Sequence, residues 1–316
     1  MRDQIVSEGV LNLSCIEFNP SITFDCGQAF RWFPSTRNPN EWIGTVGKYV
    51  VGASRSKARL LAGSDKVDFE TRLRTYLSFS DNLRQIRSSL PSDPFLASAA
   101  RRYAGLRLLT QDPWECLISF VCSINSNIPS IRMKIENLAR RFGTRILLDD
   151  STSVYTFPEP ESLAFAEKGD LLKCKTGFRW KYIQFLAQRV VSGQLDLGGI
   201  GKMPYEVARD YLVSETSRKT FGVGPKVADC VLLFAYHKLE AFPIDVWISR
   251  CIRAIYLEHL KISDWNSLTT KRYYELSAAL RQHFGANSGY AQQYLFAKFR
   301  NDASYSKKSA GLKGCD

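Results

Sequence analysis

The chain has 316 residues, enough for two domains with a substantial core. Its 45% hydrophobic and 23% charged content is ordinary for a globular protein, and 43 basic against 31 acidic residues leave a formal charge of +12. That balance favours a polyanionic partner, nucleic acid before membrane. No apolar run reaches the roughly 18 residues of a membrane span. The opening "MRDQIVSEGVLNLSCIEF" lacks an apolar signal core and a cleavage site. Eight cysteines without a CxxC pair argue against a zinc site or a closely spaced iron–sulfur loop. They fit reduced thiols in an intracellular compartment.

Taken in chain order, "CGQAFRWF", "EWIGTVG" and "KYVVGAS" are β-branched or aromatic and are separated by turn residues. They predict short strands of an antiparallel sheet. From about Lys66 the period becomes helical, with Val67, Leu73 and Leu77 at helical spacings. "DPWECLISFVCSIN" opens on Asp112 as N-cap and Pro113 at the first position, with Glu115 completing a capping box. Its interior is apolar nearly all round, which predicts a central buried helix. Further helices are expected near 129–142, 178–192, 204–217, 225–237, 246–258, 266–284 and 287–301. The fold class is α+β, a small N-terminal sheet domain packed on a larger all-helical one. The expected boundaries are 1–105 for the sheet domain, 106–303 for the helical domain and 304–316 for a basic, frayed tail.

Two of these helices flank "SRKTFGVG" and make a helix-hairpin-helix. Gly222 and Gly224 leave backbone N–H groups uncovered where the second helix begins, a geometry suited to phosphate. Pro225 fits the first helical position, so Lys226 falls in the first turn. The helix dipole disfavours a cation there by up to about 1 kcal/mol, which favours the free amine that a nucleophile requires. Asp245 follows Lys226 by 19 residues. A helix of three turns and a short reversal would bring the two together. Asp245 also suits the N-cap of the next helix.

With "GVGPKVADC" and "PIDV" in place, the chain resembles the helix-hairpin-helix DNA glycosylases, and within them the 8-oxoguanine DNA glycosylase/AP lyase branch. "CGQAFRW", "DPWECLISFVCSINSNI", "GFRWKYI" and "GYAQQYLF" resemble family motifs in the same order, from about Leu11 to Phe299. The resemblance makes Lys226 the Schiff-base nucleophile at the sugar C1′ and Asp245 the carboxylate that stabilises the oxocarbenium-like transition state. It gives Gly27 a backbone carbonyl that accepts N7–H of 8-oxoguanine and repels the N7 lone pair of guanine. Cys230 and Phe296 become the residues that sandwich the flipped base, and Gln292 the reader of its Watson–Crick edge. Asn125 fills the gap in the duplex, Phe178 wedges beside the orphaned base, and Arg179 reads the partner cytosine.

Two positions depart from the family. The second cytosine-reading arginine falls on Ser130, with Arg132 two residues on. A phosphate-contacting histidine falls on Trp247, and its carboxylate partner on Phe299, so the grip on the lesion strand differs although Trp247 keeps its place at the DNA. The resemblance implies no cofactor for the chemistry, with room for a structural cation at the hairpin turn. It implies duplex DNA containing 8-oxoguanine as partner, no membrane, a monomer, and a place in the nucleus or nucleoid. A glycosylase for another damaged or mispaired base would ordinarily lack the lysine. A non-catalytic DNA-binding module would need neither the lysine–aspartate pair nor a base pocket.

Overall fold

The computed structural model describes residues 9–63, 65–148, 153–216 and 222–302. Five strands form the N-terminal sheet: β1 (Val10–Asn12), β2 (Trp32–Pro34), β3 (Trp42–Val46), β4 (Tyr49–Ala53) and β5 (Lys57–Ala62). Their order is β1-β5-β4-β3-β2, antiparallel throughout. Gly44 makes room for Trp32 across β2 and β3, since a Cβ there would lie 2.3 Å from the indole. Trp32 in turn stacks on Phe24 at 3.8 Å and donates to the Tyr76 hydroxyl at 2.7 Å. Phe24 belongs to a short helix, Pro20–Asp25, that the strand-rich reading did not anticipate.

The remainder is mostly helical. In the Pro113–Cys122 helix every residue from Cys116 to Cys122 is buried, as the apolar run implied. Asp112 caps it by accepting Glu115 N–H at 2.9 Å. Glu115 itself turns to Arg31 at 3.4 Å instead of closing a capping box. The helix expected over 246–258 is α-helical for Val246–Cys251 and then widens into a π-turn at Ile252–Tyr256. The one expected over 266–284 begins at Thr270, capped by the Thr269 hydroxyl. The helical part also holds a hairpin, β6 (Arg145–Leu147) with β7 (Ser153–Tyr155). Strands of three residues are too short to show a period of two, so this hairpin corrects the all-helical expectation. The 304–316 tail lies outside the described residues.

The Pro225–Tyr236 helix carries Lys226 and is buried from Val227 to Ala235. Phe234 stacks on Phe120 of the Pro113–Cys122 helix at 5.5 Å. Asp229, fully buried, accepts the hydroxyls of Tyr205 and Tyr273, each at 2.6 Å. Arg209 donates to the Tyr205 hydroxyl at 3.1 Å and completes the cluster. Burial pushes the Asp229 carboxyl upward, and the two tyrosine hydroxyls pull it back. The helix is thereby pinned to Tyr205–Thr216, the other arm of the hairpin, and to Thr270–Phe284. Asp229→Ala strands two buried hydroxyls, each worth about 1–3 kcal/mol. The denaturation midpoint should fall by the equivalent of about 2–6 kcal/mol with an unchanged m-value.

Candidate active site

Three elements meet at Lys226. It occupies the first turn of its helix, behind Gly224 as N-cap and Pro225 at the first position. No side chain caps this end. The half-buried amine donates to Ser123 Oγ at 3.1 Å and sits 5.3 Å from the centre of the Phe120 ring. Ser123 Oγ donates its own proton to the Phe120 carbonyl at 2.6 Å. With that hydrogen committed, Ser123 can only accept from the lysine, so it orients the amine without occupying its lone pair. Cys230, one turn further on, also bonds to Lys226; burial pushes its thiol up to about 12, and the lysine opposes that shift.

Asp245 is an N-cap that also interacts electrostatically with Lys226. Its carboxylate caps the Val246–Cys251 helix, accepting Ile248 N–H at 2.8 Å. It is packed deeply enough that burial raises it above the ordinary aspartate value. The Ile248 N–H, Lys226, the Trp247 N–H and Arg300 act in the opposite direction, in that order. The cap bond fixes the carboxylate at the start of its helix, on the side that interacts with the lysine.

Gly27 lies in a turn with φ +81, which suits glycine. A Cβ there would meet Ile128 at 3.2 Å and the Phe296 ring at 3.4 Å. Both neighbouring residues are clamped. The Cys26 carbonyl accepts Gln293 Nε2 at 2.9 Å. Buried Gln28 donates to the Thr23 and Arg107 carbonyls and accepts Leu109 N–H, at 2.8–2.9 Å. Gln292 donates from Nε2 to the Pro243 carbonyl at 3.1 Å, while its buried Oε1 has no partner among the described residues. Phe296 and Cys230 are buried, and the Arg300 guanidinium lies 5.3 Å from the Phe296 ring.

Asn125 is exposed and left-handed at φ +47. Phe178 is 47% exposed and meets Tyr182 edge-on at 5.8 Å. Arg179 turns inward. Its guanidinium donates to the carbonyls of Ile124, Asn125 and Thr176 and to Ser126 Oγ, so in the free protein it braces the Asn125 loop. Arg132 is committed to Asp25 at 2.7 Å, and Ser130 contributes no long donor. Gly222 has φ +80, and a Cβ on it would lie 2.6 Å from the Tyr182 ring; Gly224 is open to solvent. Residues 217–221 of the turn, where a cation was expected, lie outside the described residues. Trp247 is half-buried with the Arg250 guanidinium 5.4 Å from its ring, and Phe299 is buried.

Residues 10–117 match the family model described as 8-oxoguanine DNA glycosylase, N-terminal domain. Residues 118–271 match the HhH-GPD superfamily base excision DNA repair protein. The chain belongs to the 8-oxoguanine DNA glycosylase family. A Saccharomyces cerevisiae protein named N-glycosylase/DNA lyase is 30% identical, over 96% of this chain and 89% of its own. A structure of MBOgg1 with a low-affinity DNA ligand has 34% identity and a TM-score of 0.82, covering 95% of this chain and 99% of that one. The Clostridium acetobutylicum 8-oxoguanine glycosylase/lyase, solved with duplex DNA containing cytosine opposite 8-oxoG, has 30% identity and a TM-score of 0.78. It covers 90% of this chain and 92% of that one. The family is one of DNA glycosylase/lyase enzymes of base excision repair. No described helix is long and apolar enough to cross a membrane, and no metal-ligand cluster occurs among the described residues.

The supports around the site were not found from sequence. Ser123, Gln28 and Gln293 are polar residues inside apolar motifs, and that mismatch was the available signal. The raised Asp245 carboxyl sets a pH dependence. If the ionised form is required, single-turnover base release should fall on acidification through a limb above the ordinary aspartate value. Asp245→Asn keeps a capping acceptor, so it should bind lesion DNA yet lose most of kcat. Normal turnover in that variant would leave Asp245 as a cap alone.

Proposed function

We propose that the protein flips 8-oxoguanine from duplex DNA, removes it through Lys226 and cuts the strand. One observation carries this reading: an amine in the first turn of a buried helix, oriented by an acceptor-only hydroxyl and within electrostatic reach of a half-buried carboxylate. The Lys226 nitrogen attacks C1′ as the bond from C1′ to the base nitrogen breaks, and the base leaves as it takes a proton. The amine sheds a proton, the sugar ring opens, and an iminium forms between Nζ and C1′. Loss of a C2′ proton then expels the 3′ phosphate by β-elimination, and water frees the lysine. Asp245 stabilises positive charge on the sugar as the base departs.

Lesion recognition follows from donors and acceptors. A carbonyl at Gly27, fixed by the clamps on Cys26 and Gln28, would accept N7–H of 8-oxoguanine and face the lone pair of guanine unfavourably. The unpaired Gln292 Oε1 suits the N–H groups on the Watson–Crick edge of the flipped base. Phe296 offers a stacking face on entry, worth about 1–3 kcal/mol. Asn125 and Phe178 are exposed, which suits filling a gap and wedging beside an orphaned base, and the hairpin amides suit the lesion-strand phosphate.

Borohydride should trap a covalent protein–DNA adduct with the wild type and none with Lys226→Gln. Equal trapping would remove Lys226 as nucleophile. Opposite-base discrimination should be weaker than in relatives with arginines at both reading positions, because Ser130 replaces one and Arg132 is held by Asp25. A good arginine–base contact is worth about 1–3 kcal/mol, or about 5- to 150-fold. Single-turnover excision opposite C, T, G and A, in wild type and Ser130→Arg, measures this. Strong rejection of T, G and A by the wild type, unchanged in the variant, would contradict it.

A further inference from the structure

Beneath the Asn125 loop two buried cations share one hydroxyl. Lys134, 5% exposed, brings its ammonium 2.8 Å from Ser126 Oγ and 2.5 Å from Ser130 Oγ, with the Ser130 carbonyl at 3.3 Å. Arg179, also 5% exposed, reaches the same Ser126 Oγ at 3.4 Å. Among the described residues no carboxylate lies within ion-pair reach of either; every acceptor they contact is a hydroxyl or a carbonyl. A buried charge without a counter-charge is costly, and two like charges over one hydroxyl add to the cost. The lysine also reaches back towards the N-terminal turn of the Ile128–Phe142 helix, where the dipole opposes a cation. Burial pushes its ammonium below the ordinary lysine value, and Arg179 pushes in the same direction.

Such a pair is poised for an acceptor that arrives from outside. Exposed Asn125 adjoins Ser126, the residue whose hydroxyl the two cations share, and Arg179 holds the Asn125 carbonyl at 3.2 Å. We propose that Lys134 is a specificity-determining residue: on duplex binding its ammonium leaves Ser130 and, beside Arg179, donates to the acceptor edge of the base left opposite the lesion. This rests on the reading of Asn125 as the residue that fills the gap. Both cations only donate. Cytosine offers them adjacent acceptors at N3 and O2. Thymine places N3–H between its carbonyls, adenine offers N1 beside an amino group, and guanine presents two donors next to O6. The pair therefore selects cytosine. An ammonium is a rotatable point charge and not a planar fork, so the selection is softer than two arginines would give.

The test uses the full chain as wild type, Lys134→Met and Lys134→Arg. Single-turnover excision of 8-oxoguanine is measured opposite C, T, A and G. Each rate is normalised to strand cutting at an abasic site in single-stranded DNA, which reports folded, competent enzyme. Lys134→Met should lower the C-to-A rate ratio by about 5-fold, the lower end of a base-reading contact, and Lys134→Arg should restore it. Affinities for duplexes carrying a tetrahydrofuran abasic analogue opposite C or A should show the same change of ratio. That second readout involves no base removal, so failure of the lesion assignment and failure of this proposal are distinguishable. An equal loss opposite all four bases, with a salt dependence shallower by about one phosphate, would assign Lys134 to the DNA backbone and overturn the proposal. Unchanged ratios in both assays would overturn it as well.

Discussion

The site depends on a buried carboxyl that takes no part in the proposed chemistry. Asp229 lies three residues after Lys226 and on the inner side of the same helix, where it holds two tyrosine hydroxyls from two other helices. An uncapped helix start opens the region of the candidate nucleophile. Such an end is weakly held by its own sequence, because its first N–H groups are left without intrahelical partners. Anchoring one turn inward supplies what the end lacks. The first turn can then present bare amides and an amine without fraying.

Around this anchor the bonds fall into two kinds. Three inward-facing polar groups are satisfied within the protein: Gln28 by three backbone groups, Gln293 by Cys26, Ser123 by Phe120. Groups at the candidate reading positions are left short. Gln292 keeps an unpaired oxygen, and Lys134 and Arg179 rest on neutral acceptors. Buried polar groups are ordinarily paired, so the Gln292 oxygen is one place where a polar ligand would gain a bond.

Much of this was legible in the sequence, for a definable reason. Lys226 and Asp245 announce themselves through neighbours in the chain, a proline at a helix start and a cap position, whereas Gly27 came from the family resemblance alone. The sheet and most helices follow from period and turn residues in the same local way. The misses are nonlocal. Glu115 sits where a capping box would place it, yet Arg31, 84 residues earlier, draws it away. Arg132 pairs with Asp25, 107 residues earlier, which its own segment does not reveal. Arg179 keeps its position but turns to the Ile124–Ser126 loop, which its own segment does not reveal. Lys134 reads as one more charge on an amphipathic helix until its burial is known. Partners distant in the chain leave no spacing to read.

Tyr182 has a consequence of a mechanical sort. Its ring packs against Gly222 of the hairpin, where no side chain could fit, and also meets the Phe178 ring in a T-shaped contact. On the proposed reading the hairpin grips the damaged strand and Phe178 touches its complement. A single ring would then link the two grips, since Tyr182 touches both Gly222 and Phe178. A rigid link tolerates one separation of the strands and resists others, so the degree of bend in the DNA would be gauged before any base is examined. Damage that softens the duplex would satisfy the gauge more cheaply than sound DNA, giving a first sorting step that uses stiffness instead of chemistry.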